Sequence, residues 1–192
     1  HVRSRRQRQM CIRDRMMIED VLMDVSVSDS AWNIVILRYF NPIGAHSSGE
    51  LGEDAQGLPT NLLPYISQVA LGKLDRVRVF GGDYDTKDGT GIRDYIHVVD
   101  LARGHVAALQ KLVAGSGLSI YNLGTGKGTS VLELIQEMGE IVGHPIPYKI
   151  VGRRAGDIAV SYADVSKAEK ELNWHARYDL KRMCQDLSLI HI

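Results

Sequence analysis

The sequence is poor in cysteine, tryptophan and phenylalanine, with two of each in 192 residues. Cys11 and Cys184 lie far apart and make no Cys-x-x-Cys pair, so neither a disulfide framework nor a zinc ribbon is expected. A reducing, cytoplasmic setting fits such a chain best. The histidines are scattered without the i, i+4 or short-loop spacing of metal ligands, and no metal site is expected. Net charge is missing too: 23 basic residues balance 23 acidic ones, which removes whole-chain electrostatic support for a nucleic acid partner. No apolar run approaches the roughly 20 residues that span a bilayer, so no membrane partner is expected. Internal repeats and low-complexity linkers are absent as well. What remains is a globular chain long enough for one sizeable core, or one and a part.

What is present is an alternation of helix-like and strand-like segments, which predicts an α/β fold. "MMIEDVLMDV" reads as a helix, with Met17 and Val21 among its apolar residues. "WNIVILRYF" sets Ile34, Val35, Ile36 and Leu37 side by side, the pattern of a strand buried on both faces in a parallel sheet. Such a strand needs a neighbour on either side. "NPIGAHSSGELGEDAQGLP" is a long loop of the kind that is usually functional or disordered, and it leads into an apolar helix in "TNLLPYISQVALGK" that stops at Gly72. "RVRVF" alternates as a strand. "RDYIHVVD" reads as a half-buried strand running into a helix with Asp100 as N-cap and Leu101, His105, Leu109 and Leu112 on one packed face. "LSIYNLGTGKGTSVLELIQEMGEIVG" gives a strand, a glycine turn and a helix opened by a Ser130/Glu133 capping box and closed at Gly143. A strand in "IPYKIVG" and helices around "SKAEKEL" and "DLKRMCQDL" complete the chain.

"GTGKGTS" looks like a phosphate loop and meets neither standard pattern. Walker A requires Gly-Lys-Ser/Thr, whereas Lys127 is followed by Gly128; the dinucleotide fingerprint requires Gly-x-Gly-x-x-Gly after a first strand. The segment reads as a tight turn that could meet a phosphate only through its backbone amides.

Arg93 and the Arg153-Arg154 pair each stand where a strand meets a glycine-bearing turn. The guanidinium fork suits phosphate oxygens, and glycine lets a ligand approach the backbone. Asp157, close behind, could accept a hydrogen bond from a sugar hydroxyl. These residues suggest a nucleotide diphosphate pocket. Salt bridges to the many nearby aspartates, or a solvated rim, account for the same arginines, and spacing alone leaves the readings open.

The blocks "RYFNPIGAHSSG", "GEDAQGLPTNLLPYISQVALGK", "VFGGDYDTKDGTGIRDYIHVVDLARGH", "YNLGTGKGTSVLELI" and "GRRAGDIAVSYADVSKAEKELNW" resemble, in order, those of the UDP-glucose 4-epimerase family of extended short-chain dehydrogenases. The resemblance runs from about Met17 to about Leu187. It implies a substrate-binding lobe plus the last strand and helix of a Rossmann-type parallel sheet, with the amino-terminal NAD-binding half missing. It implies a UDP-sugar pocket made of Tyr39, Phe40, Asn41, Thr60, Asn61, Leu62, Arg78, Val79, Phe80, Arg93, Arg154, Asp157 and Ser161. Arg93 and Arg154 would clasp the diphosphate, Asp157 would hold the ribose, and Tyr39 would also lie near the nicotinamide of NAD. Ser161 would face the sugar, where a small side chain leaves room for an N-acetyl group. A homodimer is implied for the complete enzyme.

In this family the C4 hydroxyl is oxidised, the 4-keto sugar turns over, and hydride returns to its other face. The nucleotide must be held while the sugar moves, which separates binding energy from the reacting centre. The sequence departs from the family at its ends. The Tyr-x-x-x-Lys position falls on "CIRDR", Cys11 to Arg15, so the base and its lysine are absent and the chain as given is expected to be inactive. Residues 1–15 are expected to be a non-native or disordered leader, 16–187 the carboxy-terminal half of the enzyme, and 188–192 a non-native tail. The first and third blocks occur in broader form across nucleotide-sugar enzymes, so another dehydratase or decarboxylase of the same superfamily is the alternative, as is a catalytically dead UDP-sugar-binding module, while the combination with "PTNLLPYISQVA" and "GRRAGD" points to the 4-epimerases.

Overall fold

The computed structural model describes residues 2–191 apart from 53–58, 60 and 116, with the backbone alone for 2–12 and 191. Helix α1 (Val2–Ser28) passes through the arginine-rich segment and "MMIEDVLM" without a break. Strands β1 (Ile34–Tyr39) and β2 (Asn41–Ile43) follow, then α2 (Leu62–Ala70) and β3 (Val77–Phe80). Two short strands, β4 (Ile92–Arg93) and β5 (Tyr95–His97), lead into α3 (Val98–Val113) and β6 (Leu118–Leu123). The remainder is β7 (Thr129–Ser130), α4 (Val131–Val142), β8 (Tyr148–Val151), β9 (Val160–Ser161), α5 (Ser166–Leu172) and α6 (Leu180–His191).

β1 and β6 pair in parallel, Ile34 opposite Leu118 through Tyr39 opposite Leu123. A parallel pair needs a crossover, and α3 lies within it. To the strand expected in this sheet the fold thus adds β6. Among the described residues β1 has β6 as its one partner, so its other edge is open. Three smaller sheets build the rest of the described residues: β2 with β5, β3 with β8, both parallel, and β4 between antiparallel β7 and parallel β9.

Two cores result. The larger gathers Leu63, Ile66 and Val69 from α2, Val77 and Val79 from β3, Leu134, Ile135 and Met138 from α4, and Met183, Cys184 and Leu187 from α6. The smaller holds Leu101, Tyr121, Leu123, Ala168 and Trp174 beneath the sheet piece. Burial pushes the Cys184 thiol up to about 12, so it stays an uncharged packing group. Ser130 and Glu133 close the capping box at the start of α4, and Gly143 ends that helix at φ 79°. Gly72, at φ 71°, stands just past the end of α2.

Three local expectations are corrected. "RDYIHVVD" is no continuous strand: it breaks at Asp94, and Val98 onward is helix. Tyr95, Ile96 and His97 are all buried, because β5 pairs with β2 and packs under α3. The N-cap of α3 is His97, whose Nδ1 accepts the Val99 N–H at 3.0 Å, and Asp100 sits one turn inside. The Asp100 Oδ2 accepts from distant donors, the backbone N–H groups of Arg177 (2.7 Å) and Tyr178 (2.9 Å), and its Oδ1 pairs with Arg103 Nη1 at 2.8 Å. His105 and Leu109 are exposed, since the buried stripe of α3 runs through Leu101, Gly104 and Ala108.

Candidate functional site

The seam around Arg93 is built by short strands. β4 follows Gly91 and is held from both sides, Arg93 standing opposite Ser161 of β9 and Thr129 of β7. The register puts the arginine and the serine of the sequence reading side by side. Arg93 is half-buried, and its Nη1 donates to the Ile92 carbonyl at 2.7 Å. Among the described residues no carboxylate pairs with it. Arg153 is the contrast: its Nε meets Asp83 Oδ1 at 2.8 Å, and its guanidinium lies 4.3 Å from the centre of the Tyr84 ring. That hydrogen bond holds the Asp83 carboxyl below its ordinary value. The salt-bridge alternative therefore fits Arg153 and does not fit Arg93.

Asp94, next along the chain, is fully buried. Its Oδ1 accepts the Thr125 N–H at 2.9 Å and the Thr125 hydroxyl at 2.6 Å; its Oδ2 accepts the N–H groups of Gly126 (3.0 Å) and Ala163 (3.1 Å). A carboxylate can be buried this way because every acceptor site facing the protein is filled. The amides at the centre of the "GTGKG" turn are thus occupied by an internal anion, which explains why a loop of phosphate-binding appearance lacks the standard spacing. A Cβ at Gly124 would stand 2.5 Å from Asp94 Oδ2, so the close approach requires glycine.

A second group surrounds Phe80. The Arg154 guanidinium lies 4.0 Å and that of Arg78 5.4 Å from its ring centre. Arg154 and Asp157 share a turn in which the Asp157 N–H donates to the Arg154 carbonyl at 3.1 Å. The Val79 side chain lies in the large core, leaving only its backbone for a ligand. Asn61 is the exposed N-cap of α2, and its side chain makes no cap bond. Leu62 packs against the large core, and Thr60 lies outside the described residues.

Tyr39, Phe40 and Asn41 form the bridge between sheet and lobe. The Phe40 N–H donates to the Leu123 carbonyl and that of Asn41 to the Asp94 carbonyl, both at 3.1 Å. Tyr39 is exposed at the carboxyl end of β1, its ring centre 6.1 Å from that of His105. Dinucleotides bind outside the carboxyl ends of such parallel strands, so Tyr39 fits the rim of an NAD site. The "GTGKG" amides, being engaged by Asp94, do not fit as its phosphate cradle. Among the described residues no cluster of three metal-ligating side chains occurs, and no helix is long and apolar enough to cross a membrane.

The sequence reading overlooked Asp94, although it lies inside a quoted block. A carboxylate wedged between two short strands, with a glycine turn downstream whose amides lack a standard ligand pattern, was the available signal.

Comparison with known proteins places these features in a family. The chain is 59% identical over 175 residues to the UDP-glucose 4-epimerase of Bos taurus, an alignment that covers 91% of this chain and 50% of the relative. The UDP-glucose 4-epimerase of Bifidobacterium longum, solved with NAD+ and UDP, superimposes with a TM-score of 0.87 at 56% identity, covering 91% of this chain and 52% of that one. That of Stenotrophomonas maltophila, with NAD and formylated UDP-arabinopyranose bound, gives 0.91 at 52% identity, covering 93% and 53%. The chain spans about half the length of the curated relatives it matches. Residues 5–124 match the family model described as the NAD dependent epimerase/dehydratase family, and the chain belongs to that family.

Proposed function

We propose that this chain is the UDP-sugar-binding half of an NAD-dependent UDP-glucose 4-epimerase, an isomerase whose complete form interconverts UDP-glucose and UDP-galactose. The observation that carries the reading is the placement of Arg93: a half-buried guanidinium without a carboxylate partner among the described residues, in register with Ser161. Arg93 and Arg154 grip the diphosphate and Asp157 holds the ribose, with Tyr39, Phe40, Asn41, Thr60, Asn61, Leu62, Arg78, Val79 and Phe80 lining the rest. When bound, NAD supplies the hydride acceptor and donor for the C4 carbon. This chain's residues anchor the nucleotide while the sugar turns, and the small Ser161 leaves that turning volume open. Residues 11–15 hold no tyrosine or lysine, so the 192-residue chain alone binds without turning over. The complete enzyme works as a cytoplasmic homodimer, a setting that suits the free, buried Cys184.

Calorimetric titration of UDP into the complete enzyme tests the reading. Arg93→Ala weakens binding by about 2–5 kcal/mol, the usual cost of truncating one member of a buried charge pair. Unchanged affinity would return Arg93 to the rim. The same pocket is proposed to accept UDP-N-acetylhexosamines, and Ser161→Tyr lowers that turnover while sparing UDP-glucose, because overpacking costs about 1–3 kcal/mol. If both sugars are turned over equally in the variant, Ser161 does not gate the pocket.

A further inference from the structure

Asp94 is the point where the proposed pocket is tied together. Its backbone N–H donates to the Ser161 carbonyl and its carbonyl accepts the Asn41 N–H, each at 3.1 Å. Its carboxylate draws in the Thr125 and Gly126 amides and the Ala163 N–H, two residues beyond Ser161. Arg93 is its covalent neighbour on β4. Asp94, itself within 91–97, thus meets the other two segments that carry pocket residues, 39–41 through its backbone carbonyl and 160–163 through its backbone N–H and its carboxylate, while the 124–126 turn wraps the carboxylate.

From this convergence we infer that Asp94 is a positioning residue for UDP-sugar binding: an internal carboxylate that fills an anion-binding turn and so fixes the register of Arg93 against Ser161. The inference rests on the functional reading above. Its physical logic is the arithmetic of donors. Four N–H or O–H groups point at two carboxylate oxygens, and an asparagine would keep one oxygen and turn an NH2 group toward two donors that need an acceptor. The packing there is close, since a Cβ at Gly124 would stand 2.5 Å from Asp94 Oδ2 and 2.7 Å from the Ala163 Cβ. The turn and β9 must shift, and Ser161 moves relative to Arg93. A ligand gripped at one end and gated at the other feels such a displacement strongly.

Asp100 supplies a control, because its fully buried carboxylate also accepts two backbone N–H groups, those of Arg177 and Tyr178, pairs in addition with Arg103, and holds no proposed pocket segment. The experiment measures UDP affinity by calorimetry and the melting temperature for wild type, Asp94→Asn and Asp100→Asn in the complete NAD-loaded enzyme. Both variants melt earlier. Asp94→Asn weakens UDP binding at least about tenfold, whereas Asp100→Asn leaves it within about twofold. Equal losses in the two variants, or a lowered melting temperature with unchanged UDP affinity in Asp94→Asn, would overturn the inference. Should Asp94→Asn fail to fold, Thr125→Val, which keeps the carboxylate and its three N–H donors and removes the 2.6 Å hydroxyl donor together with that hydroxyl's bonds to the Lys127 N–H (3.2 Å) and carbonyl (3.3 Å), decides the matter. A severalfold loss of UDP affinity supports the positioning role, and unaltered affinity refutes it. A wild type that does not bind UDP would instead refute the functional reading itself.

Discussion

On the lobe side, β3, β8, α2, α4 and α6 enclose Ile66, Leu134 and Met138 so that none of the three retains exposed surface. On the sheet side, β1 is paired along one edge, and α3 shows Val106, Leu109 and Val113 to solvent, the last 90% exposed. Met16, Met17 and Val21 of α1 are exposed as well. Apolar side chains of this kind cost little singly, but in stripes they mark surface that other structure usually covers. The difference is one of where neighbours come from. The lobe draws its neighbours from within these residues, whereas the apolar strand β1 has a hydrogen-bonded partner along one edge among the described residues. The proposed pocket lies where the two regions meet, through Tyr39, Phe40 and Asn41.

The comparison breaks most sharply in the cores. Leu134→Ala in α4 removes a fully buried side chain and is expected to cost about 2–5 kcal/mol, while Val113→Ala on the open face of α3 changes stability by no more than about 0.5 kcal/mol. Chemical denaturation of the two variants checks this, and equal effects would mean that the exposed stripe of α3 is already covered in solution.

His97 joins the two regions, capping α3 and reaching Asp186 of α6. With Nδ1 accepting the Val99 N–H, its Nε2–H donates to Asp186 Oδ2 at 3.1 Å, and Arg182 meets the same oxygen at 2.8 Å. Burial pushes the imidazole below its ordinary value near 6.5, outweighing the hydrogen bond and charge of Asp186, which act the other way. The unfolded chain therefore takes up this proton at a higher pH than the folded one. The contribution of His97 to stability is complete above about pH 6.5 and declines as pH falls from there toward the lower folded value. Denaturation midpoints between pH 7.5 and 5 should fall, and His97→Asn, which keeps a cap and does not titrate, should flatten the profile. Parallel profiles would remove His97 as the pH-sensitive joint.

The smallest effect is expected at Tyr84, whose buried hydroxyl is without a hydrogen-bond partner among the described residues. Tyr84→Phe deletes a polar atom that gains nothing from burial, so stability should hold or rise by up to about 1 kcal/mol. A clear loss would reveal a partner for that hydroxyl, and with it a role for the loop before β4.

The sequence by itself determined the elements whose signals are local. Four consecutive apolar residues specified β1, the Ser130/Glu133 pair specified the start of α4, and Gly143 its end, because propensity and capping act within one or two turns of chain. Family blocks pointed to Arg93, Ser161 and their companions, and the strand register sets those two side by side. Tertiary structure alone decided which acids serve as internal anions and which face of α3 is buried. Asp100 has the residue type and position of an N-cap, yet its Oδ2 is taken by donors 77 and 78 residues away and its Oδ1 by Arg103. Asp94 meets donors 31, 32 and 69 residues away, and periodicity carries no record of such partners. His105 belongs to a helical stripe that could have packed, but the sheet meets α3 one position earlier, through the close contact of Gly104 with Leu123 and Trp174. A side chain's pattern states what it can bury or bind, and the geometry of segments distant in sequence determines which of those options is realised.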